Sequence, residues 1–240
     1  MQLQNATKKS SGVHGKWYGD ACGTAFALEL VGERWSLLIV RELMFGGRRF
    51  TDLRAALPGI SAKILTERLE GLERAGILQR RQLPPPAAVQ LYELTPWGYE
   101  AEEAIKALGR WAARSPDHDP TLPLSIASLM MSLRTLFDSK KAEKLTVTAS
   151  ISIGAEPFRI EIAEGRLSVQ RGAAEAPDFT LCAPQAQPVA IAIYGKVPFE
   201  ELIEAGLEFT GNRQAATRFI DAFHLPEKIG TSSSDVPPTS

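Results

Sequence analysis

Cysteine is nearly missing from this chain: Cys22 and Cys182 are its two copies in 240 residues, and they lie far apart. Such spacing excludes a disulfide framework and a thiolate metal site, and makes a reducing cytoplasm the default compartment. Histidine is equally sparse. His14, His118 and His224 fall in an arm, a linker and a chain end, none at ligand spacing from a helical partner, so no metal is expected. No apolar run approaches the roughly 20 residues of a membrane span, and the opening Met1-Gln2-Leu3-Gln4-Asn5-Ala6-Thr7-Lys8-Lys9 lacks the apolar centre of a signal peptide. A Gly-x-Ser-x-Gly elbow, a phosphate loop, a dinucleotide fingerprint and a His/Glu metal pair are also absent. These absences argue against an enzyme, a cofactor and a membrane partner.

What is present suits a soluble protein of two ordinary domains, with 44% apolar and 23% charged residues. The net charge of −1 hides an asymmetry. Residues 1–114 hold 16 Lys and Arg against 12 Asp and Glu, a net +4, and the remaining 11 against 16 give −5. A basic half joined to an acidic one fits one module that meets nucleic acid and one that does not.

The basic half contains the most informative stretch. Phe50, Leu53 and Leu57 share one face of a short helix, and Pro58-Gly59 ends it. Ser61 then caps a second helix with a Leu65, Leu69, Leu72 stripe. This predicts a helix-turn-helix whose second helix can enter a major groove. Opposite the leucines stand Ala62, Lys63, Thr66, Glu67 and Glu70, able to reach base edges and phosphates; an ordinary hairpin with a solvated face is the alternative. Before it, Asp20 caps a helix through Ala25, Phe26 and Leu28, Gly32 interrupts, and a helix with Trp35, Leu38, Ile39 and Leu43 runs to Gly46-Gly47. After Gly76, Ile77–Leu83 and Gln90–Leu94 read as a hairpin with a Pro84-Pro85-Pro86 tip, a wing that places Arg80 and Arg81 beside the groove. Thr95-Pro96 opens a helix with Trp97, Ala101, Ala104, Ile105, Leu108 and Trp111, a stripe that serves either core or dimer packing.

Cys22, Gly32–Leu43, Arg49-Phe50-Thr51-Asp52-Leu53, Pro58-Gly59-Ile60-Ser61, Leu65-Thr66-Glu67-Arg68-Leu69 and Tyr92–Gly98 together resemble the HxlR-type winged helix-turn-helix regulators, over about residues 20 to 113. The resemblance implies a homodimer on an inverted-repeat DNA operator, with helices at both ends of the domain forming the dimer interface. It also raises Cys22 as a redox or electrophile sensor; a small buried apolar residue is the other reading of a helical cysteine.

Beyond the polar, proline-punctuated linker 115–120, Leu122, Ile126, Leu129, Met130, Leu133 and Phe137 mark an apolar helix. From Lys144 the period becomes alternating. Strands carrying Leu145–Ile153, Phe158–Ile162, Leu167–Val169 and Phe179–Leu181 predict an antiparallel meander with one apolar face, covered by Pro188–Tyr194, Phe199–Glu204 and a last helix from Asn212. With Tyr194-Gly195 and the Leu207–Asn212 turn, this half is similar to the sterol carrier protein type 2 family. That likeness implies a cavity for an apolar ligand lined by Met130, Phe158, Tyr194, Phe199 and Phe209, although these side chains equally suit core filling.

The resulting expectation is an α+β protein: a flexible arm over 1–17, a winged domain over 18–114, the linker 115–120, a ligand-sensing domain over 121–230 and a disordered tail over 231–240. Lys8, Lys9 and Lys16 leave open a DNA-gripping role for the arm. The function expected is a cytoplasmic, homodimeric repressor modulated by a small apolar or aromatic effector. Ser61, Ala62, Lys63 and Thr66 read the major groove, Thr51 also binds DNA, and Arg49, Arg68, Arg80 and Arg81 hold phosphates unless they pair with Glu. The rivals are a thiol switch at Cys22 and an apolar-ligand carrier whose winged domain contacts protein.

Overall fold

The structure, a computed structural model, describes residues 18–204 and 206–230, without the Phe199 side chain. The expected arm and tail lie outside the described residues. The chain divides into two compact units after Ala101, and each is built around its own apolar core.

The first unit begins with α1 (Gly23–Val31), α2 (Ser36–Leu43), α3 (Phe50–Ala56) and α4 (Ala62–Arg74). Cys22, rather than Asp20, occupies the N-cap of α1, and the Asp20 carboxylate accepts the Cys22 N–H at 2.9 Å. Helix α2 stops at Leu43, short of Gly46-Gly47. Ile39, Val40 and Leu43 of α2 pack with Leu53, Leu57, Leu65, Leu69 and Leu72 to make a core that excludes solvent. The wing follows as β1 (Leu78–Gln82) and β2 (Gln90–Leu94), paired antiparallel with Arg80 opposite Tyr92. Arg48 and Tyr92 exchange backbone hydrogen bonds at 2.9 and 2.8 Å, so the entry to α3 is fastened to the wing. The unit closes with α5 (Pro96–Glu100), capped by Thr95, whose hydroxyl accepts the Gly98 N–H at 3.0 Å and donates to the Gly76 carbonyl at 2.7 Å.

The stripe from Trp97 to Trp111, expected as one helix, is two. Helix α6 (Glu102–Ala112) starts after Ala101 and belongs to the second unit, although the sequence places it with the wing. It packs on α7 (Ile126–Leu136), which Ser125 caps, so α7 starts beyond Leu122 and leaves that residue exposed.

The sheet holds five strands: β3 (Val147–Ile153), β4 (Glu156–Ala163), β5 (Arg166–Arg171), β6 (Phe179–Ala183) and β7 (Glu208–Gly211), in the order β5-β4-β3-β6-β7. Two expectations are corrected here. The fourth strand does not continue the meander; β6 crosses back to lie parallel to β3, with Leu181 opposite Ile151. The cause is burial: β6 alternates three buried apolar residues, Phe179, Leu181 and Ala183, with half-buried ones and needs neighbours on both sides, whereas β5 buries Val169 alone and makes a tolerable edge. The Leu207–Asn212 segment, read as a turn, contains β7, which pairs antiparallel with β6. On the apolar face sit α7, α8 (Ala186–Ala190), a π-helical turn (Ile191–Gly195) and α10 (Arg213–Ile220), with α9 (Phe199–Glu204) beside β7. The last helix starts from Asn212 as expected, and the Asn212 side chain caps it by accepting the Ala215 N–H. Phe179, Phe219 and Phe223 form the centre of that core, with ring centroids 5.3 and 4.9 Å apart along the series.

Candidate nucleic-acid interface

The corner between α3 and α4 depends on Gly59, whose φ of +91° lies where a β-carbon is strained. It delivers Ser61 to the N-cap of α4, where its Oγ accepts the Ile64 N–H at 3.2 Å. Leu65, Leu69 and Leu72 then turn inward, which leaves Ser61, Lys63, Thr66 and Glu70 exposed and Ala62 and Glu67 half-buried. Lys63 is 85% exposed and only loosely paired to Glu67, at 4.0 Å. The Thr66 hydroxyl donates back to the Ala62 carbonyl at 3.0 Å, which leaves its oxygen lone pairs as acceptors. Thr51 and Arg49 are exposed at the start of α3, Thr51 donating to Asp52 at 3.4 Å.

The arginines separate into two kinds. On the wing, Arg80 pairs with Glu73 at 2.9 Å and lies over the Tyr92 ring at 5.7 Å, and Arg81 pairs with Glu93 at 2.7 Å. Both are exposed, and an exposed pair is worth about 0–1 kcal/mol, so a phosphate can compete with either glutamate. Arg68 is different. Its guanidinium bonds Glu33 at 2.9 Å and the Arg34 carbonyl at 3.2 Å with 16% of the side chain exposed, so it pins α4 to the corner before α2. The position of Glu33 in the sequence gave no sign of this pairing; its 34-residue and longer separations are tertiary.

Cys22 is exposed rather than a buried apolar residue. The N–H groups of Ala25 and then Thr24 hold its thiol below the ordinary thiol range. On α1, Phe26 and Leu28 are exposed; on α6 of the second unit, so are Leu108 and Trp111. In that unit Met130 and Phe158 are fully buried. Phe209 stacks on Phe179 at 6.3 Å, and the Tyr194 hydroxyl, which burial pushes above the usual phenol range, bonds Ser132 at 2.7 Å. The Phe199 side chain lies outside the described residues. Among the described residues no cluster of His, Cys, Asp and Glu could hold a metal, and no helix is long and apolar enough to cross a membrane.

Comparison with known proteins locates the first unit among others. A family model described as HxlR-like helix-turn-helix matches residues 30–120. YtfH of Escherichia coli K12, an uncharacterized HTH-type transcriptional regulator, is 36% identical over 97 residues, which are 40% of this chain and 77% of that protein. The HTH-type transcriptional regulator YodB of Bacillus subtilis is 37% identical over 86 residues, 36% of this chain and 77% of its own length. Among solved structures, the reduced form of YodB covers 42% of this chain and 100% of that chain, at 33% identity and a TM-score of 0.38.

Proposed function

We propose, from the premise that this chain belongs to the HxlR-like helix-turn-helix family of transcriptional regulators, that it is a cytoplasmic homodimeric repressor acting on an inverted-repeat operator. The observation carrying this reading is α4: its leucines fix it from behind while Ser61, Lys63 and Thr66 stand exposed along its first turns. A helix so presented reads base edges in the major groove, with Ala62 leaving room for close approach. Lys63, Arg49 and Thr51 reach the flanking backbone, and Arg80 and Arg81 exchange their glutamates for phosphates beside the wing. Arg68 contributes by holding α4 at its angle, which moves it from the contact set to the scaffold. The exposed apolar residues of α1 and α6 support the dimer, because Trp111 at 75% exposure and Leu108 at 48% are costly to leave in water. The second unit, with helices over one face of its sheet as in the sterol carrier protein type 2 family, serves as the effector module.

Two copies then meet two half-sites about 10 base pairs apart centre to centre, or a multiple of that. Selection of duplexes from a random pool by the full-length protein is expected to return an inverted repeat with that spacing. A single half-site without symmetry would overturn the dimeric reading.

A second reading, a thiol switch, is favoured by one observation. Cys22 is exposed and its thiol is acidified by the first turn of α1, the state in which a thiolate attacks oxidants and electrophiles. Because the lowered thiol ionises earlier, its alkylation by iodoacetamide should rise at a lower pH than that of a free cysteine. If diamide releases the wild-type protein from DNA and leaves Cys22→Ser bound, the switch is real; equal behaviour of the two proteins removes it.

A further inference from the structure

One groove of the second unit lies apart from the residues expected to line a cavity. It encloses about 490 Å³ between α6, α7 and the outer edge of β5, lined by Glu102, Lys106, Arg134, Phe137, Arg166 and Leu167 among others. Ligand sites of small molecules begin near 300 Å³. Three cations face one carboxylate in the lining, and with Glu103 counted against Lys106 one positive charge is left over, within a unit that is acidic overall. Arg166 is exposed at the rim, and Lys106 has 18% of its side chain exposed, paired with the well-exposed Glu103 at 2.7 Å. Phe137 and Leu167 supply the apolar part of the wall.

The groove also has backbone polarity to offer. Gly172 N–H bonds the Pro157 carbonyl on the β4 side, and the Val169 carbonyl points the other way, to Arg134 at 2.6 Å. Antiparallel alternation therefore turns the N–H groups of Leu167 and Val169 to the free edge, into the groove. The remaining arm of Arg134 holds Glu102 at 2.7 Å. That carboxylate of the chain itself shows what the site accepts: an anion held by one arm of the Arg134 guanidinium, beside edge N–H donors.

We propose that this groove is a binding site for a small organic carboxylate with an apolar or aromatic body, which takes the place of Glu102 on Arg134. The incoming carboxylate bonds Arg134 and Arg166 and its body lies against Phe137 and Leu167. Glu102, one helical turn from Lys106, re-pairs there, so no charge is stranded. The exchange breaks the ion pair linking α6 to α7, and α6 is the helix whose Leu108 and Trp111 face outward. The site is thus placed to change the presentation of the dimer helix, a consequence that rests on the effector reading above; the binding itself does not.

Benzoate serves as the probe and benzamide as its uncharged match, with full-length protein and no DNA. Benzoate should shift the amide resonances of Leu167 and Val169 and raise the melting temperature, while benzamide does neither. Lys106→Gln and Arg166→Ala should each weaken benzoate by about tenfold, the exposed Arg166 doing so with the free protein's melting temperature unchanged. Glu102→Gln should bind benzoate more tightly, since the competing carboxylate is gone; a merely structural ion pair gives no such gain. Equal binding of benzoate and benzamide, shifts confined to other amides, or Glu102→Gln binding no better than wild type would each overturn the site. If benzoate binds as stated and DNA affinity does not move, the site stands and the effector role is the part that fails.

Discussion

Replacing Gly98 by valine is expected to lower the melting temperature of the winged unit by at least roughly 12 °C. A β-carbon at this position would stand 2.0 Å from the Ile77 carbonyl oxygen and 3.3 Å from the Leu94 β-carbon. The nearest atom is backbone, so no side chain can rotate away. Either α5 lifts off the start of the wing, or Ile77 moves and takes with it the bonds it accepts from Thr95, at 3.0 Å from the amide and 3.2 Å from the hydroxyl. Overpacking costs about 1–3 kcal/mol, and a clash with backbone stands at or above the top of that range; a domain of this size loses about 4–8 °C per kcal/mol. Gly23→Ala is the control: nothing lies within 4 Å of its added carbon, and alanine suits the first turn of α1 better than glycine. Thermal unfolding followed by circular dichroism separates the cases. A Gly98→Val protein that melts with the wild type would show that α5 does not rest on Ile77 as described.

The second large effect concerns DNA. Lys63→Glu should weaken operator binding by at least about tenfold to hundredfold, the loss of one contact of about 1–3 kcal/mol together with new repulsion. Its folded state should not suffer. Lys63 is 85% exposed and its ion pair with Glu67 is 4.0 Å long. A carboxylate in the first turn favours the helix dipole, which offsets the like charge it brings to Glu67. Loss of binding with an unchanged melting temperature therefore reports on the interface. Retained affinity would move the contact away from the first turn of α4.

The parts of this protein that were legible in its sequence are those fixed by local chemistry. Pro58-Gly59-Ile60-Ser61 announces a corner and a cap, and the leucine spacing fixes which side of α4 is left over. Thr95-Pro96 and Asn212 likewise announce the starts of α5 and α10. Strand order is another matter. Alternation tells which residues of β6 face inward, but not that β3 rather than β5 is its neighbour, because pairing is decided by which strand has an unfilled edge. The same holds for Arg68, indistinguishable in sequence from Arg80 until Glu33 is brought beside it. Of the residues expected around a cavity, Phe158 and Met130 are fully buried and Phe209 rests on Phe179, and burial of that kind has no signature in sequence that separates lining from filling. The groove beside β5 draws Lys106, Arg134 and Arg166 from three elements, and no periodicity connects them.

The central claim is that the first turn of α4 and the wing hold duplex DNA through charge and edge contacts. Its most direct measurement is fluorescence anisotropy of a selected operator duplex titrated with full-length protein across a salt series, for wild type and Lys63→Ala. The account predicts affinity that falls steeply and linearly on a log–log scale, with a slope about one unit shallower for the variant, one phosphate contact having gone. Affinity indifferent to salt, or a variant slope identical to that of the wild type, would contradict it.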